Sequence, residues 1–287
     1  MSEKPSFNSV VFAGGGCRSV WQVGFWSVTA GPLGLDQAVI GATSAGAAMA
    51  CLVRSGRTEE GLLAFKSRFA RNPRNMYLNR IGTGLPVFPQ EALYREGIVS
   101  VLDSEALDRL LHGPDIRVLL AIPPKGLPPP LATGLGIAAY SLEKHLLRPM
   151  HPVWAQKLGF RPQVVSVKTC KNADDVANLI LQSSCTPPFV AIQYRDHQPA
   201  LDGGLVDNCP VLAVADVEGP MLVLLTRRYP PDRFPETRNR LYLQPSAPPP
   251  VARWDYTDAS GLQATFDLGR EDGERFLERW EKSPVRG

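Results

Sequence analysis

Ser44 stands at a point in the sequence where a serine hydroxyl can act as a nucleophile. It lies in ATSAG, residues 42–46, between the short apolar run AVI (38–40) and the helix-prone AAMACLVRS (47–55). A sharp turn from a strand into a helix exposes a serine hydroxyl and fixes its position, and the N-terminus of the helix favours an oxyanion. The alternative is a glycine-alanine turn that only packs a helix tightly against a sheet.

A loop of three glycines, Gly14, Gly15 and Gly16, followed by Cys17 and Arg18, can turn several backbone N–H groups toward one point. Such a loop suits an oxyanion hole or a phosphate cradle. A dinucleotide site is disfavoured because serine occupies the last glycine position of G-x-G-x-x-G, and no Gly-Lys-Ser/Thr follows for a Walker-type loop. A plain tight turn with a solvated Arg18 is the structural alternative.

Asp202, in LDGGLVDNCP (201–210), is the predicted general base. An ordinary α/β-hydrolase uses a histidine that follows the last strands, but the chain has no histidine after His197; the other three are His112, His145 and His151. The ordinary pKa of an aspartate is near 3.9, and burial in an apolar cleft raises it toward a value useful for proton transfer at neutral pH. This chemistry requires no metal or other cofactor. The two glycines after Asp202 also fit a plain tight turn.

The elements that must position these residues alternate between strands and helices. Short apolar, β-branched runs predict strands at residues 9–13, 38–40, 116–122, 164–168, 190–194 and 221–225, and helical stretches include 19–29, 59–70 and 174–184. Such alternation favours a parallel sheet covered by helices. The apolar segment 131–147 has two interpretations: a mobile lid or lipid-facing helix, and an ordinary buried helix.

Composition and charge narrow the class of protein. The 287 residues are 44% hydrophobic and 21% charged, as in a globular protein, and the net charge of +3 argues against a nucleic-acid partner. We expect one domain over residues 1–287, with a motif-bearing core at about 8–216 and a C-terminal strand and helix region at about 217–287. Five cysteines without metal-like spacing favour a reducing, cytoplasmic compartment.

The sequence also bears on how the protein would reach a lipid. The first residues lack the apolar run of a secretory signal, and no stretch has the roughly 18 apolar residues that span a bilayer. We therefore expect a lipid substrate to be approached from the aqueous side, with transient contact at a membrane surface. The oligomeric state is left open.

Three motifs together resemble those of the patatin-like phospholipase family. FAGGGCRSVWQVG resembles the glycine-rich oxyanion motif, ATSAGA the nucleophile elbow, and DGGLVDNCPV the aspartate-glycine motif, in which Asn208 and Pro210 also fit. SSCTPPF (183–189) and GLQATFDLGREDGERFL (261–277) are similar to weaker segments of the family. Ala42 and Ser19 stand where glycine is usual, and both departures bear on loop geometry.

The resemblance implies a fold and an activity. The implied fold is a three-layer α/β/α sandwich with a mainly parallel central sheet. Ser44 would be the nucleophile and Asp202 the base, with amides of the loop around Gly15, Gly16 and Cys17 binding the oxyanion and Arg18 at the family's basic position. The implied activity is that of a phospholipase A or lysophospholipase-type esterase. An acyltransferase on the same dyad and a catalytically silent lipid-binding protein are the alternatives.

Overall fold

Two consecutive strand-to-helix units open the described chain, which comprises residues 7–146, 150–237 and 239–282 of the computed structural model. Strand β1 (Ser9–Phe12) leads through the glycine loop, residues 14–18, into helix α1 (Val20–Leu33). Strand β2 (Val39–Thr43) leads through Ser44 into helix α2 (Ala45–Ser55). The two strands pair in parallel. Their carboxyl ends therefore share one edge of the sheet, which brings the glycine loop beside Ser44.

All strands of the described chain join one sheet, whose order is β5-β6-β3-β2-β1-β7-β8, with β4 also pairing with β3. The remaining strands are β3 (Ile116–Ile122), β4 (Arg161–Ser166), β5 (Gln193–Arg195), β6 (Gln198–Asp202), β7 (Met221–Leu224) and β8 (Arg240–Leu243). Strands β3, β2, β1, β7 and β8 run parallel, whereas β4 and β6 run antiparallel to β3, and β5 antiparallel to β6. The sheet is therefore mixed, with the predicted parallel sheet as its larger part.

Helices cover both faces of this sheet. The remaining helices of the described chain are α3 (Thr58–Arg71), α4 (Gln90–Val99), α5 (Ser104–His112), α6 (Pro129–Leu146), α7 (Trp154–Lys157), α8 (Ala173–Ser183), α9 (Gly204–Asp207) and α10 (Ala259–Lys282). In β1, Val10 and Phe12 pack with α1–α5, α8 and α10, whereas Val11 lies in a cluster on the opposite face. On that opposite face of β3, Leu119 packs with α6, α7 and α9. The predicted three-layer α/β/α sandwich is confirmed.

The bounds of the predicted strands agree unevenly with the structure. The prediction for 116–122 matches β3, whereas those for 164–168 and 190–194 are displaced from β4 and β5 by about three residues. Strands β6 and β8 are not predicted from the sequence. Both are short, and neither carries the continuous apolar run that identifies the buried central strands.

The C-terminal region is built into the same sandwich. Strand β7 pairs with β1 in the middle of the sheet, and α10 packs along α1. This packing is close, because a Cβ atom on Gly24 would lie 2.0 Å from the backbone oxygen of Phe266. The indole nitrogen of Trp21 donates to Asp272 at 2.8 Å. A single domain over 1–287 stays a prediction, since residues 1–6 and 283–287 lie outside the described residues.

Helix α6 corresponds to the segment 131–147, whose last residue lies outside the described chain. One face of α6 is buried, including Ala132 and Ala139. The other exposes a row of leucines: Leu131 at 62%, Leu135 at 40%, Leu142 at 53% and Leu146 at 65%. The interpretation as an ordinary buried helix therefore holds for one face only. Within the described residues, no helix combines the length and apolar character needed to cross a membrane.

Candidate active site

Ser44 occupies a strained turn between β2 and α2. Its backbone has φ 52° and ψ −133°, a conformation that costs a non-glycine residue about 1–3 kcal/mol. Such strain persists only where the surrounding structure enforces it. Gly46 lets the start of α2 pack closely against β1, since a Cβ atom there would lie 2.5 Å from the backbone oxygen of Phe12. The methyl of Ala42, where glycine is usual, is fully buried in the core cluster beneath the turn.

The Ser44 hydroxyl donates a hydrogen bond to Oδ2 of Asp202 at 2.9 Å. Asp202 is the last residue of β6, and it reaches Ser44 because β6 pairs with β3, which in turn pairs with β2. Both side chains are 5% exposed. The structure thus brings together two residues that are 158 positions apart in the sequence.

The surroundings of Asp202 both raise its pKa and hold its carboxylate in place. Burial raises the pKa above its ordinary value, against the charge of Arg253 and the hydrogen bonds that favour the ionised form. Those bonds come from the Gly204 amide at 2.7 Å to Oδ1, and from the hydroxyls of Ser44 and Thr186, the latter at 3.2 Å to Oδ2. A buried carboxylate with a raised pKa is a better match for proton transfer near neutral pH than a solvated one.

The glycine loop packs directly over Ser44. A Cβ atom on Gly14 would lie 3.4 Å from Cβ of Ser44. The Gly14 amide donates to the Asn208 backbone oxygen at 3.0 Å, and the Gly14 oxygen accepts from Asn208 Nδ2 at 2.9 Å and from Thr226 Oγ1 at 2.8 Å. The Cys17 amide donates to the Arg253 backbone oxygen at 3.0 Å. Two amides of the loop thus already donate to backbone oxygens of other segments.

Gly15, Gly16 and Arg18 carry the remaining amides of the loop, and the first two lie at its tip. Within the described chain, the amides of Gly15 and Gly16 donate to no backbone oxygen of another segment. Gly16 has φ 59°, a left-handed conformation that favours glycine. Arg18 follows in a short 3-10 turn, and its side chain is half-buried.

Ser183 supports the Ser44 turn, and sequence reasoning did not identify it. Its hydroxyl accepts from the Ser44 amide at 2.8 Å and donates to the Leu119 backbone oxygen at 2.7 Å. The neighbouring Ser184 is also buried, yet its hydroxyl has no partner among the described residues. The similarity of SSCTPPF to a family segment pointed to this stretch but did not distinguish the two serines.

Replacing Ser183 with alanine should lower kcat for an ester substrate by about 10- to 100-fold with little change in KM. The reason is that the Ser44 amide loses its acceptor, so the turn relaxes away from the geometry that attack requires. An unpaired buried amide also costs about 1–3 kcal/mol of folding stability. Steady-state kinetics with thermal unfolding would measure both effects.

Ser184→Ala is the matched control, because it removes a buried hydroxyl that makes no hydrogen bond. Its kinetics should equal those of the wild type. Equal kcat values for Ser183→Ala and Ser184→Ala would rule out the positioning role of Ser183.

The histidines make different contacts. His151 Nδ1 lies 3.0 Å from Oδ2 of Asp207, a second buried carboxylate. His197 is exposed in the turn between β5 and β6, and His112 and His145 are exposed on helices. In the part of the chain that the structure describes, no histidine hydrogen-bonds to Ser44 or Asp202, and no cluster of three His, Cys, Asp or Glu could hold a metal.

Two pockets flank the glycine loop. One is apolar and is lined in part by Cys17, Met49, Phe65 and Tyr94. The other is lined by the arginines Arg18, Arg227 and Arg253, together with Gly14, Gly15, Tyr140, Asn208 and Thr226. The glycine loop therefore contributes to both an apolar pocket and a basic pocket.

Comparison with known proteins gives the following. The family model for Patatin-like phospholipase matches residues 10–215. Similar solved structures include VipD from Legionella pneumophila, with 10% identity, a TM-score of 0.45, and 96% of this chain and 67% of that chain covered. Another is the type III effector protein ExoU, with 15% identity and a TM-score of 0.39; 98% of this chain is covered, but only 54% of ExoU. No curated protein matches significantly.

Proposed function

The chain belongs to the patatin-like phospholipase family, and from this premise we propose that it is a lipid acyl hydrolase acting through a Ser44–Asp202 dyad. The observation that carries the proposal is the 2.9 Å hydrogen bond from the Ser44 hydroxyl to the Asp202 carboxylate. A nucleophile in contact with its base, on a strained turn beside a glycine loop, is the arrangement that acyl transfer requires.

The proposed cycle has two halves. Asp202 accepts the Ser44 proton as the serine oxygen attacks the ester carbonyl, and the protonated Asp202 then gives that proton to the departing alcohol. The acyl group remains on Ser44 as an ester. Water attacks this ester while Asp202 again accepts a proton, and collapse of the second tetrahedral intermediate releases the fatty acid and restores the Ser44 hydroxyl.

The oxyanion of each tetrahedral intermediate is assigned to the tip of the glycine loop. Of the five residues predicted for this role, the amides of Gly14 and Cys17 already donate to backbone oxygens. We therefore propose the amides of Gly15 and Gly16 as the donors, because neither donates to another segment of the described chain. The role of Arg18 stays a prediction. Gly14 and Cys17 then hold the loop in shape.

The apolar pocket is proposed to receive the acyl chain. Its lining includes Gly16 and Cys17 of the loop, and Met49, which is five residues after Ser44 on α2. Tyr94 also lines this pocket, and its pKa is raised mainly by burial and to a smaller extent by the charges of Cys17 and Asp202. An acyl chain buried there would orient the ester carbonyl toward the loop amides.

Contact with a membrane surface is proposed through α6. Its exposed leucines form one stripe, and Tyr140 of the same helix lines the arginine pocket beside the glycine loop. An apolar face next to a site entrance fits a lipid surface better than it fits water.

A cytoplasmic location is proposed as well, on the grounds that all five cysteines are free thiols.

An ester panel tests the proposed function. The panel contains a phospholipid, its lysophospholipid, a triglyceride and a short-chain nitrophenyl ester, each assayed with wild type and Ser44→Ala. We expect wild type to release fatty acid from at least one lipid, with no measurable release by Ser44→Ala. Equal release by the two proteins, or none from any substrate, would exclude a hydrolase at this site.

Product analysis separates hydrolysis from acyl transfer on the same dyad. The assay adds an alcohol acceptor such as glycerol to the best lipid substrate and measures free fatty acid and new ester. We expect free fatty acid to remain the main product at every acceptor concentration. New ester as the main product would instead identify an acyltransferase.

The pH profile should report the raised pKa of Asp202. Asp202 must be ionised to accept a proton, so kcat/KM falls as the pH drops through its pKa in the folded enzyme. Because burial raises that pKa, the loss begins at a higher pH than for an ordinary aspartate. Arg253 opposes the shift, so Arg253→Gln should move the acid limb to still higher pH.

The measurement is kcat/KM against pH for an uncharged short-chain ester, which avoids titration of the substrate. Arg228→Gln is the control, because Arg228 is adjacent to the pocket residue Arg227 but exposed to solvent, where its charge is screened. An acid limb that stays in place, or moves to lower pH, in Arg253→Gln would show that Asp202 does not control it.

A further inference from the structure

Three arginines converge on the pocket beside the glycine loop, which we call the arginine pocket. Arg18 follows the loop, Arg227 follows β7, and Arg253 precedes α10, so the pocket is assembled from distant parts of the sequence. All three side chains are half-buried. A cluster of like charges with restricted access to water is unfavourable unless an anion compensates it.

The three arginines lack the direct carboxylate partners that other arginines of the described chain have. In the described chain, none of the three forms an ion pair with an aspartate or glutamate, whereas Arg57 and Arg117 each contact two or more carboxylates at the surface. The Nε atoms of Arg18 and Arg253 are buried without a hydrogen-bond acceptor. Burial and the charges of Arg253 and Arg227 together lower the pKa of Arg18. The pocket is therefore a positively charged site with unused donors.

Aromatic rings fix two of the guanidinium groups. The Arg227 guanidinium lies 4.7 Å from the centre of the Tyr229 ring, and its Nε donates to the Tyr229 hydroxyl at 2.6 Å. The Arg253 guanidinium lies 4.7 Å from the centre of the Trp254 ring. Stacking on a ring leaves the planar edge of a guanidinium free to bind oxygen atoms in pairs. The two groups are thus held ready for an anion before it arrives.

The arginine pocket is continuous with the catalytic loop. Gly14 and Gly15 line it, and a Cβ atom on Gly14 would lie 3.4 Å from Cβ of Ser44. The charge of Arg253 also acts on Asp202. An anion bound here would lie beside the loop that packs over Ser44.

We propose that the arginine pocket binds the phosphate of a lipid headgroup and selects lipids that end in a phosphate monoester. This inference rests on the proposed function, and it adds the substrate class. A phosphate monoester carries about two negative charges near neutral pH and presents three oxygens to the guanidinium groups. A choline headgroup leaves the phosphate one negative charge and adds a cation, which three arginines repel. A headgroup without phosphate leaves the pocket uncompensated.

The first test measures binding without turnover. Glycerol 3-phosphate is titrated into Ser44→Ala by calorimetry, with inorganic phosphate and glycerol as comparison ligands. We expect glycerol 3-phosphate to bind, glycerol not to bind, and Arg227→Gln or Arg253→Gln in this background to weaken binding by about 10- to 100-fold, as for lost charged hydrogen bonds. Arg228→Gln should bind as its parent does. Equal binding in all four proteins, or none, would overturn the inference.

The second test measures headgroup preference during turnover. The substrates are 1-acyl-glycerol 3-phosphate, its phosphocholine ester and the monoacylglycerol, all with one acyl chain. We expect wild type to favour the phosphate monoester in kcat/KM by at least about tenfold, and Arg227→Gln and Arg253→Gln to lose most of that ratio. Arg228→Gln should keep it. Equal kcat/KM values for the three lipids in wild type would overturn the inference while leaving the hydrolase intact.

The two tests separate failure of the inference from failure of the proposed function. One result is that glycerol 3-phosphate binds in an arginine-dependent way while no ester is hydrolysed. That result would support the arginine pocket as a phosphate site and exclude the proposed hydrolase activity. Tighter binding of inorganic phosphate than of glycerol 3-phosphate, with no headgroup preference in turnover, would show that the pocket takes free phosphate and would overturn the headgroup assignment.

Discussion

Ser44→Ala should lower kcat/KM for every ester substrate by about 10⁴- to 10⁶-fold, because it removes the oxygen that we propose forms the acyl-enzyme. The residual rate would come from oxyanion stabilisation and substrate binding alone. The change is small in structural terms. Alanine accepts the same backbone strain as serine, and the Ser44 amide keeps its bond to Ser183. The variant should therefore fold as the wild type does, and its loss of activity can be assigned to chemistry.

Initial rates on the best lipid and on a nitrophenyl ester measure this effect. Ser55→Ala is the matched control: Ser55 is the last residue of the same helix and is fully buried, and its hydroxyl donates to the Leu52 backbone oxygen of its own helix. Its kcat/KM should stay within about twofold of wild type. A Ser44→Ala protein that retains more than a tenth of wild-type activity would show that another nucleophile acts.

Asp202→Asn should lower kcat/KM by about 10³- to 10⁴-fold with the fold preserved. Asparagine has nearly the same shape but is not a base at any accessible pH. It also has one acceptor oxygen in place of two, whereas the carboxylate accepts from Ser44, Thr186 and Gly204. The amide group would therefore leave at least one of these donors without a proper partner and give the Ser44 proton no acceptor of sufficient basicity.

The control for Asp202→Asn is Asp207→Asn. Asp207 is equally buried, lies in the same motif and has its pKa raised by burial, but it contacts His151 and the Cys209 amide rather than Ser44. Its substitution should change thermal stability more than kcat/KM, so both properties are measured for each variant. Similar losses of kcat/KM in the two variants at matched folded fractions would argue against a specific role of Asp202.

The order and types of the catalytic candidates could be predicted because each depends on local sequence. A serine among small residues at a strand-to-helix junction, three glycines after an apolar strand, and an aspartate before two glycines are all visible without coordinates. The parallel strands β1 and β2 were also predictable, since fully buried strands are continuous apolar runs. These runs placed the glycine loop and Ser44 at the same edge of the sheet.

The supporting residues could not be predicted because they depend on tertiary contacts. Ser183 and Ser184 are indistinguishable in sequence, and only the packing of α8 against β3 decides which one reaches the Ser44 amide. The hydrogen bond from the Cys17 amide to the Arg253 backbone oxygen likewise joins residues 236 positions apart. Arg227 and Arg253 follow no motif. Arg227 meets Arg18 because β7 lies beside β1, and Arg253 reaches them from the segment before α10, which packs along α1.

The most direct test of the account is labelling with a fluorophosphonate, followed by peptide mass spectrometry. The reagent phosphonylates a serine only where a base activates it and donors stabilise the resulting oxyanion. We expect one adduct per chain, mapped to Ser44, that is absent in Ser44→Ala and forms far more slowly in Asp202→Asn. An adduct on a different serine, or equal labelling of wild type and Ser44→Ala, would contradict the assignment of Ser44 and Asp202 as a catalytic dyad.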